Sequence, residues 1–231
     1  MAGIRRGRWP GLLAPATGLA FAAKLTVLSL SVALAAALPI SPAFLTGASK
    51  AYGTPATCTL TAVADASVNS LSPNTNAGTS TQLNVSPNTL ATQRAFVRFD
   101  LSGCSPSIPA DAIVQSATIQ LTVASAVLAT RTIQLRSVTA TWTEAGVTWN
   151  NQPAVAGSVT SSSVVTLGQA AGTVVSWTAT SNVQSFVTGA AADLGFRLAD
   201  SAEGAIAGVA LVLNAREAAS GRPQLVVTYV K

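Results

Sequence analysis

Residues Ile113 to Val123 carry the clearest alternation in the chain: Ile113, Ala117, Ile119, Leu121 and Val123 fall on one side, Ser116, Thr118, Gln120 and Thr122 on the other. A period of two belongs to an extended strand with one buried face, because successive side chains leave a pleated backbone in opposite directions. Such a strand needs partners within its sheet and a layer over its apolar face. The stretch therefore commits the chain to layered β-structure.

Other segments repeat the pattern. Arg94 to Leu101 sets Ala95, Val97 and Phe99 against Arg94, Phe96, Arg98 and Asp100, and Thr132 to Val138 sets Ile133 and Leu135 inward with Gln134 and Arg136 outward. Gln224 to Val230 turns Leu225, Val227 and Tyr229 inward, after a Pro223 whose missing N–H is harmless at a strand start. Cys58 to Val68, Leu83 to Val85, Val159 to Leu167, Thr173 to Trp177, Gly195 to Leu198 and Ala205 to Leu213 read as further strands. Ile113 to Val123 and Thr132 to Val138 are expected to pair as a hairpin across Ala124 to Thr130. Only Thr180 to Gly189 departs, with Val183, Phe186 and Val187 at helical spacing behind a Thr or Ser cap and ahead of a Gly stop. The expected fold is all-β: an antiparallel jelly-roll β-sandwich with one short helix.

Residues 1–51 differ in kind. A basic start, IRRGR, precedes long apolar stretches and small residues near Ser41 to Ala43 and Ser49 to Ala51, the pattern of a secretory signal cleaved after Ala43 or Ala51. Leu25 to Leu45 is also long enough to serve as an uncleaved membrane anchor. Residues 52–231 then form one domain, outside the cell or at its surface. The net charge of +5 resides in the leader, because from Tyr52 onward eight basic residues face eight acidic ones. Nucleic-acid binding, which needs clustered cationic charge, loses its support. Cys58 and Cys104, the chain's 2 cysteines, are expected to form one disulfide in an oxidising compartment.

Catalysis finds little to work with. The sequence has 0 histidines, so the Ser-His-Asp and Cys-His arrangements and most zinc sites are unavailable. The carboxylates are scattered, with no local pair spaced for glycoside cleavage, although distant ones can still meet in space. The densest motif is TWTEAGVTWNNQP, Thr141 to Pro153, read as a corner joining two halves of the fold, with Trp142 and Trp149 anchoring the core and Asn150 to Pro153 shaping a turn. Trp142, Trp149 and Trp177 have two readings, platforms for sugar rings or core residues, and core packing is favoured where aromatics are few.

Binding is expected elsewhere, on arginines. Arg94, Arg98, Arg131 and Arg136 are read on strand faces opposite apolar sets, either as a basic stripe or as a plain solvated face. Arg216 either offers its fork to a uronate carboxylate or pairs with an acid such as Asp100 or Asp200. No metal site is assigned. Asp65, Asn74 and Asn76 near Gly78 are candidate oxygen ligands for a structural calcium, without the acidic density of a dedicated site. No other cofactor is expected. Asn84-Val85-Ser86 is an N-glycosylation sequon.

The ordered series ADASVNSLSPNTNAGTSTQLNV, RAFVRFDLS, IPADAIVQSATIQLTV, ATWTEAGVTWNNQP, SNVQSFVTGAAADLGFRL and NAREAASGRPQLVVTY resembles the DNRLRE-domain family from Ala64 to Tyr229. Ala215 departs from it, standing where members often carry an aromatic residue or Ser. The resemblance implies a secreted jelly-roll sandwich and a carbohydrate-binding role, with alginate binding known for some modules. The leading expectation is a non-catalytic module whose partner is a polysaccharide or cell-surface polymer. The alternative is an extracellular structural or adhesive protein that binds proteins or copies of itself. A hydrolase ranks third.

Overall fold

The computed structural model describes residues 53–206 and 208–231, so the expected leader lies outside the described residues. Strands β1 (Ala56–Thr61), β11 (Gln224–Val230), β5 (Ile113–Thr122) and β8 (Val174–Thr178) form one antiparallel sheet in that order. The facing sheet runs β2 (Ala64–Asn69), β4 (Gln93–Arg98), β9 (Phe196–Asp200), β6 (Arg131–Ser137) and β7 (Ser161–Val165). A two-stranded piece, β3 (Gln82–Val85) with β10 (Leu211–Asn214), bridges them, continuing into β4 through Ser86 and Gln93 and meeting the end of β5 through Val123 and Leu213. The fold is the expected all-β sandwich with one helix.

Its core lies between the sheets. Ala117, Ile119 and Leu121 from β5 and Leu225 and Val227 from β11 meet Ala95 and Val97 from β4, Ile133 and Leu135 from β6, and Phe196 and Leu198 from β9. Trp177 belongs to this core and donates its indole N–H to the Ile133 carbonyl at 2.9 Å. Burying the apolar set of each strand supplies the main driving force.

Several expectations are corrected. Cys58 to Val68 is two strands, broken at Ala62 and Val63, where the chain leaves one sheet for the other. The expected hairpin of Ile113 to Val123 with Thr132 to Val138 does not form: β5 pairs with β11 and β8, and β6 with β7 and β9. Both strands turn apolar faces inward, so placing them in opposite layers buries Ile119 and Leu121 together with Ile133 and Leu135 in one core. Ile113 is 41% exposed while Val114 is buried, because the register slips between Thr228 and Tyr229, opposite Gln115, and one extra residue reverses the faces. The helix α1 (Thr180–Val187) is where expected, but its N-cap is Ala179, without a side-chain cap bond. Thr180 instead accepts the Ala117 N–H at 3.0 Å, tying α1 to β5. Of Ala205 to Leu213 only the end from Leu211 is strand. The disulfide between Cys58 and Cys104 is present, with Cα atoms 5.7 Å apart.

Candidate functional site

The outer face of the five-stranded sheet is only partly open to solvent. Phe96 points outward from β4 yet is fully buried, in a second cluster with Ala64, Ala66, Val68, Val138, Trp142 and Val147. The cover is the tryptophan motif, which is therefore a lid on one sheet rather than a corner between halves. Local bonds explain its shape. The Asn151 carboxamide accepts from Thr148 N–H at 2.6 Å and donates to the Gly146 carbonyl at 2.9 Å, closing a turn. Asn76 donates to both Glu144 and Val147 carbonyls at 2.7 Å, pinning the loop to the 70–78 segment. Trp142 then tilts against Phe96 with ring centroids 5.8 Å apart and donates to the Leu194 carbonyl at 2.8 Å.

The arginines are distributed around this lid. Arg94 lies over the Trp149 ring at 4.7 Å and Arg98 over Trp142 at 5.5 Å, contacts in which the ring quadrupole attracts the cation. Arg94 also grips Glu203 with two nitrogens, at 2.7 and 2.8 Å, and Gln152 with a third. Among the described residues Arg136 bonds to neutral acceptors: the Ala156 and Gly157 carbonyls and Gln134. Arg131 does not share their face. It has the parity of Ile133 and Leu135, and its buried guanidinium lies 3.5 Å from the buried Asp200 carboxylate.

Between β4 and β6 stands Arg197 of β9, which the sequence reading counted but did not single out. Its register partners are Phe96 on one side and Arg136 on the other. Its Nε is buried and, among the described residues, has no hydrogen-bond partner. Burial lowers the pKa of this guanidinium, and the charges of Arg94 and Arg136 lower it further, against Glu203. The alternation of Phe196, Arg197 and Leu198 was the available signal. An outward arginine between two core residues belongs to the same face as Arg94 and Arg136.

Arg216 meets neither Asp100 nor Asp200. Its Nε lies 2.8 Å from Glu144 and 2.7 Å from Glu217, and its backbone N–H donates to Asp65 at 2.7 Å. Glu144 also accepts the Asp65 N–H at 2.8 Å. Three carboxylates distant in sequence, Asp65, Glu144 and Glu217, thus offer oxygens within 4.8 Å of one another. Burial pushes the Asp65 carboxyl up to about 7, with Glu217 and Glu144 adding to the shift and the Arg216 N–H and charge opposing it. Asn74 and Asn76, candidate oxygen ligands beside Asp65, bond to Asn150 and to the lid carbonyls.

Near the end of β4 the surface is hollow. A cavity of about 390 Å³ is lined by Arg98, Phe99, Asp100, Ser102, Phe186 and Asp193, among others. Gly195 lets the Asp193 loop close on β4: at φ +85° a Cβ there would sit 2.5 Å from the Val97 carbonyl oxygen and 2.9 Å from Arg98 Cβ. Burial pushes the Asp193 carboxyl up to about 6, the Gly195 N–H and Arg98 opposing.

Among the described residues no helix is long and apolar enough to cross a membrane. Comparison with curated proteins finds no match. The family described as Carbohydrate-binding module family 96 matches residues 56–229, from the start of β1 into β11, so the lid, the arginine face and the end cavity all lie within the match. By that match the chain belongs to carbohydrate-binding module family 96.

Proposed function

We propose that residues 52–231 form a secreted, non-catalytic, DNRLRE-type module that binds an acidic, uronate-bearing polysaccharide on the outer face of the five-stranded sheet. The pairing of Arg197 with Arg136 carries the reading. Like charges directly opposite on neighbouring strands destabilise a sheet. A carboxylate laid across the two guanidinia removes that repulsion, and the arginine fork matches it in shape. Arg94 and Arg98, held over Trp149 and Trp142, border this face. Arg216 and Arg131 are committed to acidic partners and serve the scaffold. The leader and the disulfide support export.

The test is titration of the full chain with polyuronate and with neutral polymers. Preferential polyuronate binding that weakens with salt is expected, as is a loss of tenfold or more in Arg197→Gln and in Arg136→Gln. Equal affinity for charged and neutral polymers, or unchanged affinity in both variants, would sink the proposal.

One observation favours a structural or adhesive role as the second reading. Residues 145–192 hold no charged side chain, and this run supplies one end strand of each sheet, β7 and β8, with Val164, Leu167 and Val174 exposed. Edge strands without charge are open to pairing with another strand. Sedimentation of the full chain showing concentration-dependent dimers, without polysaccharide binding, would favour it.

A further inference from the structure

We infer that the cavity at the end of β4 is a second glycan subsite, one that takes a neutral pyranose ring, adjoins the arginine face at Arg98 and is distinct from the Arg197–Arg136 pair. The inference uses the chain's membership of a carbohydrate-binding family but does not rest on the acidic-polymer reading.

The cavity assembles from five parts of the chain. Val63 comes from the crossover between β1 and β2; Arg98 ends β4; Asp100 caps the short 3-10 turn Leu101–Gly103, which contributes Ser102; Phe186 comes from α1 and Asp193 from the loop before β9. These parts are fixed by bonds elsewhere. Cys104, directly after the turn, is disulfide-linked to β1, and Asp100 caps the turn by accepting the Ser102 N–H at 2.9 Å. Asp193 accepts the Gly195 N–H at 3.3 Å, and Phe186 leans on Phe196 of the core, ring centroids 5.9 Å apart. The volume of about 390 Å³ falls within the range of roughly 300–1,000 Å³ usual for small-molecule sites.

The chemistry narrows the occupant. Asp100 and Asp193 are acceptors, while Arg98 is a donor that gives one nitrogen to the Trp142 carbonyl at 3.3 Å. Phe186 adds apolar surface. A sugar ring matches this set, since its hydroxyls donate to carboxylates and accept from a guanidinium while its C–H face covers aromatic carbon. Two carboxylates against one guanidinium leave the walls acidic once both are ionised. Asp100 is held below the usual carboxylate range by its bonds from Ser102 and stays charged. A uronate would meet that charge as repulsion, so a neutral sugar is the better fit.

The test is calorimetric titration of the full chain with neutral gluco-, manno-, galacto- and xylo-oligosaccharides, a uronate trisaccharide and a simple alkylammonium salt, with amide NMR shifts locating the contact. At least one neutral series should bind and shift residues 98–103 and 193. Asp193→Asn, whose carboxamide oxygen keeps the bond to Gly195, and Arg98→Gln should each weaken it tenfold or more, while Thr59→Ala on the other sheet should not. Saturation with polyuronate should leave the neutral-sugar titration unchanged, so the two sites are judged separately. Shifts confined to the Arg197–Arg136 pair, neutral-sugar affinity surviving both substitutions, tighter binding of the ammonium salt, or no neutral binding at all would overturn the subsite.

Discussion

Glu144 and Arg216 meet at 2.8 Å although 72 positions separate them in the chain. The contact fastens the tryptophan lid to the turn after β10, and Glu144 holds the Asp65 N–H with the same oxygen. The ion pair itself contributes little, because the arginine side chain is 38% exposed. The hydrogen bond to the Asp65 backbone matters more. Glu144→Ala strands that N–H and is expected to cost about 1–3 kcal/mol. Glu144→Gln keeps an acceptor and should lose less than half as much. Chemical denaturation of the two variants checks the order, and equal losses would assign the effect to the charge instead.

Asp65 gives stability a pH dependence with a definite sign. Its carboxyl is raised from 3.8 to about 7 in the folded protein, chiefly by burial. The contribution is therefore fully present below about pH 4, falls as pH rises, and is gone above about pH 7. Asp193, raised to about 6 mainly by burial, acts with the same sign over a narrower window. Melting temperature should fall between pH 5 and pH 8, and Asp65→Asn, which can still accept the Arg216 N–H, should flatten most of that slope. A variant as steep as the parent would refute the assignment.

Calcium is expected to be dispensable. Glu144 and Glu217, two of the three converging carboxylates, already share a cation, the Arg216 guanidinium, at 2.8 and 2.7 Å. A hard divalent ion needs several oxygen ligands at once and would have to displace it. A chelator should leave the melting temperature unchanged in the parent. In Arg216→Gln, where the carboxylates lose their counter-ion, added calcium should raise it. A chelator-induced drop of several degrees in the parent would show that an ion, and not Arg216, balances the cluster.

The strands were legible because alternation reports directly on a half-buried pleat; β4, β6 and β11 lie where Val97, Leu135 and Val227 led one to expect. Sheet membership was not. Nothing local says that Ala62 and Val63 carry the chain between layers, or that β5 and β6 face each other across the core instead of pairing. The candidate site was legible in part. Arg94, Arg98 and Arg136 do point to the outer face, but Arg131 has the opposite parity, and Arg197 becomes notable only when β9 falls between β4 and β6. The meeting of Asp65 with Glu144 and Glu217 is purely tertiary. Spacing along the chain carries no trace of it.

Trp142 offers the sharpest test of the lid. It is 7% exposed and makes three contacts: the ring of Phe96, the guanidinium of Arg98 and the carbonyl of Leu194. Trp142→Ala removes all three and leaves a cavity over Phe96, for which losses of about 3–5 kcal/mol are usual. At about 2–4 °C per kcal/mol for a domain of this size, the melting temperature should drop by roughly 6–20 °C. Trp142→Phe retains a ring against Phe96 and loses the bond to Leu194, so about 1–2 kcal/mol is expected, mostly from the unpaired carbonyl. The alanine variant should also free Arg98 from its platform and weaken neutral-sugar binding at the end cavity beyond what the stability loss explains. Polyuronate affinity, if carried by Arg197 and Arg136, should change less. A Trp142→Ala protein as stable as the parent would mean that the lid does not hold the outer face, and that Phe96 is buried by other means.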